Sequence, residues 1–192
     1  DNLSLTEGQQ EQVKNLFYTV SDIERAGDHA ENIAELAETL TRNSGSFSKK
    51  GKADLELISA QTMQSLQIAV ESRETGSVKS ANAVRVLEQS VDQLEEEMRE
   101  KHNRRLSKGK CDPESGVIFL DIISNLERIG DHAVNLAEYG DDMRKWEIDF
   151  SDTVKEELNE MKAQCIAALD NLKEVTSENV ERILSQAVII EQ

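Results

Sequence analysis

SNLERIGDHAVNLAE, residues 124–138, and SDIERAGDHAENIAE, residues 21–35, are one fifteen-residue passage written twice, identical at 10 of 15 positions with an offset of 103 residues. Wound at about 100° per residue, Leu126, Ile129, Ala133 and Leu136 gather on one side of a helix, and Glu127 and Asp131 lie opposite. The same offset pairs Leu55 with Leu158, Ile58 with Met161, Leu66 with Leu169, Leu87 with Ile190, Glu88 with Glu191 and Gln89 with Gln192. The repeating unit is therefore three helices long, and the duplicated passage is its third helix.

Helical spacing runs through the rest of the chain, clearest in the stripe Val154, Leu158, Met161, Cys165, Leu169, Leu172, Val175. With 1 Pro, 9 Gly and 4% aromatics in 192 residues, the composition offers little of what strands and tight turns require. Breaks at Asn43–Ser46, Glu74–Ser77 and Lys108–Pro113, with Asp112 as an N-cap before Pro113, predict helices near 7–42, 52–74, 77–107, 113–140, 152–176 and 178–192. Asp141–Asp152 reads as a polar connector, with Trp146 as a packing anchor, and Ser177 as the cap of the last segment.

The expected fold is all-α, two three-helix bundles. Residues 52–140 form one complete unit. Residues 7–42 are a third helix without its predecessors, and 152–192 are a first helix and half of a second. Each would expose an apolar stripe alone, so the two are expected to complete the other bundle together or through a partner chain. A permuted order and exchange of the hairpin between protomers are alternative origins of this phase.

A formal net charge of −16, from 38 Asp plus Glu against 22 Lys plus Arg, argues against nucleic acid as a partner. The one basic stretch, Lys101–Lys110, reads as a solvated helix end. No run approaches the ~18 apolar residues of a membrane span, and Cys111 and Cys165, without a motif around either, fit a reducing compartment.

Glu24 and Asp28 in one copy, and Glu127 and Asp131 in the other, stand one turn apart on one helical face. Solvated surface is the ordinary reading of such a pair. Repetition argues otherwise: like charges at i, i+4 cost a few tenths of a kcal/mol and mid-helix Gly27 and Gly130 up to ~1 kcal/mol each, at the same place in both copies. Glycine there would let a backbone or bulky ligand approach. Glu88 and Asp92 repeat the spacing in the second helix, and Glu191 echoes it. If the second and third helices are adjacent, Glu88, Asp92, Glu127 and Asp131 converge into an oxygen-rich patch suited to hard cations such as Mg, Ca, Mn or ferric iron. His29 and His132 point away from the aspartates and read as hydrogen-bonding groups ahead of direct ligands. Arg25 and Arg128 read as partners of neighbouring acids ahead of binders of a free anion, and either use is open.

The Glu-Arg-x-Gly-Asp turn of each third helix, with Glu-x-x-x-Asp in the second, resembles the PhoU family of tandem three-helix bundles. The stretch HNRRLSKGKCDPESGVIFLDIISNLERIGDHAVN, residues 102–135, is most similar to the cytosolic PhoU-type domain of sodium/phosphate cotransporter-like membrane proteins. The resemblance implies a regulatory role in phosphate homeostasis and metal ligands at Glu24, Asp28, Glu88, Asp92, Glu127, Asp131 and Glu191. It implies metal ions, multinuclear iron among them, with Mg, Ca, Mn or Zn as other candidates. It also implies a phosphate transporter or membrane-embedded transport domain as partner, a homo-oligomer, and a cytoplasmic place at the inner face of the cell membrane. Glu191 lacks its partner four residues on, since the sequence stops at Gln192.

Two other functions compete. A metal-independent helical interaction module would use the acidic stripes to dock basic segments. A carboxylate-bridged di-iron enzyme would use Glu-x-x-His, and none of His29, His102 or His132 has an acid three residues before it. No nucleophile elbow or P-loop is present, so the sequence reads as non-enzymatic.

Overall fold

The computed structural model describes residues 6–146 and, further on, positions 156, 159–161, 163–164 and 166–167, the latter all helical. Among the described residues the fold is all-α. Its four long helices are α1 (Glu7–Arg42), α2 (Lys49–Thr75), α3 (Val78–Leu106) and α4 (Pro113–Trp146).

Local chemistry sets their ends. Thr6 and Gln9 form a capping box, with Gln9 N donating to Thr6 Oγ1 at 3.3 Å and Thr6 N to Gln9 Oε1 at 2.9 Å. Ser48 accepts from Gly51 N at 3.1 Å, which starts α2 at Lys49, three residues before the expected position. Gly76, at φ +64°, takes the left-handed turn that ends α2, and Ser77 caps α3 directly after it. Asp112 Oδ2 accepts from Ser115 N at 2.8 Å, so the Asp-Pro start of α4 is as its sequence reads.

α4 packs against each of the other three helices, and α2 also packs on α3. Thr62 Oγ1 donates to Leu126 O at 3.3 Å and Ser72 Oγ to Ala137 O at 3.4 Å, so α2 and α4 run parallel. Contacts of Arg85 with Glu138 and of His102 with Phe119 make α3 antiparallel to α4. Those of Asn15 with Tyr139 and His29 with Asn125 do the same for α1. Ile33, Leu40, Ile58, Leu66, Val84, Val91, Met98, Ile122, Leu126 and Leu136 fill the core. At roughly 1.5–3 kcal/mol for each large apolar side chain, their burial is the main favourable contribution to folding.

α4 continues to Trp146, so the connector expected from residue 141 is helical for its first six positions. Gly140 reads like a helix stop but serves packing instead. A Cβ there would lie 2.5 Å from Ser72 O, so the bare Cα lets α2 and α4 close up. The close-approach reading fails at Gly130, where a Cβ would meet only Val91 Cγ1 at an ordinary 3.7 Å. The side chain of Trp146, Cys165, Ser177 and the segment 178–192 lie outside the described residues, as does most of 152–176. Within that stretch Met161 is buried in the core, and Gln164 Oε1 lies 3.3 Å from where a Cβ on Gly27 would be.

The two glycines should respond oppositely to the same substitution. Gly140→Ala should destabilise by about 1–3 kcal/mol through overpacking, whereas Gly130→Ala should be neutral or stabilise by up to ~1 kcal/mol through helix propensity. Urea unfolding followed by circular dichroism measures both, and equal effects would contradict this account of the α2–α4 contact.

Candidate metal centre

The antiparallel packing of α3 on α4 decides where the acidic stripes meet. Glu88 and Asp92 are one turn apart on α3, and Asp131 lies opposite on α4. Each of the three offers a carboxylate oxygen within 4.8 Å of the other two. Glu127 borders the group closely enough for its charge to act on Glu88. Glu88 and Asp131 open on a cleft of about 410 Å³ that Arg85, Gln89, Val134 and Asn135 also line.

Crowding of like charge changes their acidity. Partial burial, the charge of Asp92, a hydrogen bond shared with it, and the charges of Asp131 and Glu127 push the Glu88 carboxyl up to about 7. Burial and then Asp131 raise Glu127, against the pull of Arg128. Asp131 is raised by burial and by Asp92, again opposed by Arg128. Arg128 reaches both acids of its own turn, Glu127 at 3.5 Å and Asp131 at 3.7 Å. Arg85 bonds Glu138 at 2.9 Å and ties α3 to α4 beside the cleft.

The donor set is carboxylate oxygen throughout, with half-buried members and an open side. That set fits hard cations and has no thiolate or imidazole to favour a soft one. Of the seven residues expected as ligands, the structure brings Glu88, Asp92 and Asp131 together with Glu127 at their edge. Glu24 and Asp28 lie exposed on α1 and join no comparable group among the described residues, and Glu191 lies outside them.

The duplicated passages meet where α1 crosses α4. His132 Nδ1 lies 2.7 Å from Asp22 Oδ1, which also accepts from Asn135 Nδ2 at 3.1 Å. The repeat partners of these residues make the mirrored contacts: His29 Nδ1 is 2.9 Å from Asn125 Oδ1, which accepts from Asn32 Nδ2 at 3.3 Å. The two imidazoles stack at 5.6 Å between ring centres. Both histidines are hydrogen-bonding groups, as their helical position predicts, and their acceptors Asp22 and Asn125 follow the serine at the same place in each passage, a signal that periodicity alone does not single out. Buried Arg73, which no motif marks, donates to Tyr139 O and Thr19 Oγ1, both at 2.9 Å, and to Asn15 Oδ1.

The PhoU domain model matches residues 55–140, which run from α2 into α4 and hold all four clustered carboxylates. Residues 55–140 are thus similar to a PhoU domain. A Thermotoga maritima protein described as phosphate-specific transport system accessory protein PhoU homolog 1 is 29% identical over 118 residues, covering 62% of this chain and 50% of that protein. An uncharacterized protein of Deinococcus radiodurans is 28% identical over 123 residues, 64% of this chain and 44% of its own length. The chain thus spans about half the length of these curated relatives. No solved structure matches it. Among the described residues, no helix is long and apolar enough to cross a membrane.

Two titrations probe this architecture. Glu88 binds its proton more tightly folded than unfolded, so between its ordinary value of 4.5 and about 7 the folded state holds more protons. Stability of the metal-free protein should fall as pH rises through that window, and Glu88→Gln should flatten the slope. Asp22 behaves in the opposite sense. Burial disfavours its charge, but hydrogen bonds from His132, Asn135 and Tyr139 outweigh that and hold it below its ordinary value. Its stabilisation is present above the ordinary value of 3.8 and lost as pH falls through the folded value. Asp22→Asn should cost about 1–3 kcal/mol near neutrality, a difference that should narrow in acid. Thermal melts across pH decide both, and parallel curves for wild type and variant would contradict the assignment concerned.

Proposed function

We propose that the chain is a non-catalytic, metal-binding regulatory domain of phosphate transport and homeostasis, with Glu88, Asp92, Glu127 and Asp131 as ligands. The supporting observation is the approach of three carboxylates from two helices to within 4.8 Å, on an open cleft. Unneutralised oxygens at that spacing repel one another, and either a proton or a cation relieves the repulsion. Multinuclear iron, Mg, Ca, Mn and Zn are the candidate ions. Glu24, Asp28 and Glu191 form the corresponding half-site of a second bundle, assembled from 7–42 and 152–192 beside the bundle 52–140. The PhoU domain and the Thermotoga relative's description support the phosphate setting. In this reading the domain works at the cytoplasmic face of the membrane, beside a phosphate transporter such as a sodium/phosphate cotransporter.

No arrangement in the cluster calls for turnover: its groups hold an ion or a proton. Binding below pH 7 displaces the proton from Glu88, so affinity rises with pH up to about that value.

Elemental analysis and calorimetry on the purified chain test the reading. Asp131→Asn and Glu88→Gln should each weaken metal binding roughly tenfold or more, with helical content unchanged because both side chains face away from the core. Metal content unaffected by either substitution would leave the metal-independent interaction module as the better reading.

A further inference from the structure

The loops α1–α2 and α3–α4 emerge at the same end of the bundle. Phe47, in the first loop, meets Phe119, near the start of α4, edge to face at 5.7 Å. One small cleft there is lined by Ser46 and Ser48 from the first loop, Cys111 from the second, and Ser115 from the first turn of α4. Sequence order hides the electrostatic consequence. Residues 41–52 and 104–114 together hold eight Lys or Arg and only two Asp or Glu, in a chain whose formal net charge is −16. The basic stretch 101–110, which alone reads as a solvated helix end, is thus half of a larger patch.

Arg42, Lys49, Lys50, Arg104, Lys108 and Lys110 are all exposed on this end. Arg104 is held by Glu100 within α3, whereas the other five enter no ion pair among the described residues. Of the two acids, Asp112 is engaged in capping α4. The described four-helix body is about 50 Å long, the length of a 34-residue helix, and this end of it carries eight of the chain's 22 Lys and Arg.

We infer that this tip docks end-on against an anionic lipid surface. The shape of the charge distribution selects that partner. A flat anionic surface meets the tip first, where the nearest flanking acids Glu100 and Asp54 are paired with Arg104 and Arg105, and the acidic stripes further along stand outside the Debye length of roughly 8–10 Å. The Glu127–Asp131 turn begins about 20 Å along α4 from the tip, beyond the same screening distance. A nucleic acid long enough to lie along this body would meet its acidic sides. Among the described residues the tip presents no exposed ring on which bases stack, since Phe47, Phe119 and His102 are buried. The inference rests on the reading that the domain works beside a membrane transport system, but it uses none of the metal ligands.

Co-sedimentation of the 192-residue chain with vesicles tests it. Vesicles one-third phosphatidylglycerol should bind at low salt, pure phosphatidylcholine vesicles should not, and raising the salt should release the protein. With each cation worth roughly fivefold in partitioning, Lys49, Lys50, Lys108 and Lys110 all changed to Gln should lower binding at least about tenfold. Lys14→Gln with Lys79→Gln, remote from the tip, should leave it unchanged. Equal binding to both vesicle types, equal binding by the quadruple variant, or an equal affinity for RNA would each overturn the inference. Asp131→Asn separates the two readings: lost metal with retained vesicle binding keeps the docking surface, and lost docking with intact metal content removes it alone.

Discussion

α4 is enclosed on three sides, and that single packing constraint places everything else. Its apolar residues Ile122, Leu126, Ile129, Ala133 and Leu136 must face the neighbouring helices, which leaves its polar residues only the margins between contacts. Glu127, Asp131 and Glu138 occupy the margin toward α3. Asn125, His132 and Asn135 occupy the margin toward α1 and become the polar seam. A 3.6-residue period with three partners thus sorts one fifteen-residue passage into core, carboxylate edge and hydrogen-bonded seam.

The seam shows what duplication preserved and what it let diverge. Histidine and asparagine reach across from each copy to one acceptor in the other, so the contacts obey the repeat's own symmetry. The acceptors differ by one group, Asp22 against Asn125, and only the Asp22 half carries a fixed negative charge. α1 differs from α4 more strongly on its outer side. Val13, Phe17 and Val20 are 56%, 70% and 44% exposed. The repeat places them at Gly116, Leu120 and Ile123, in line with Glu127 and Asp131 on the side of α4 turned toward α3.

Much of this was legible in the residues. The 103-residue offset, the three breaks and the apolar stripes placed the ends of the four described helices within three positions, except that α4 runs six residues further. The Glu-x-x-x-Asp spacing in two helices put Glu88, Asp92, Glu127 and Asp131 in contention before their proximity was visible. What stayed hidden depends on contacts between helices rather than on period. Ser59, Thr62, Ser65 and Ser72 look like a solvated face, yet they are buried on α2, where Thr62 and Ser72 donate to carbonyls of α4. Arg73 looks like a helix-end cation and is fully buried instead, because Asn15, Thr19 and the Tyr139 carbonyl supply acceptors from distant positions. Gly140 resembles a helix stop because a close backbone crossing leaves no signature in one strand of sequence.

The arginines around the cluster bear on how an ion would enter it. Arg128 is 59% exposed and approaches Glu127 and Asp131 only at 3.5–3.7 Å, a loose pairing of the kind that contributes little in water. Arg99 is committed to Glu95 and Arg85 to Glu138, both within contact distance. Among the described residues no cation pairs with Glu88 or Asp92, the two acids contributed by α3. Negative charge therefore remains least compensated on the α3 side of the cleft. A hard cation bound there, as proposed, would have only a proton on Glu88 and a weakly held guanidinium to displace, with Arg85 still bridging α3 to α4. In the proposed reading positioning would be separated from neutralisation: Arg85 joins α3 to α4 through Glu138, and the more exposed Arg128 would be the group to give way.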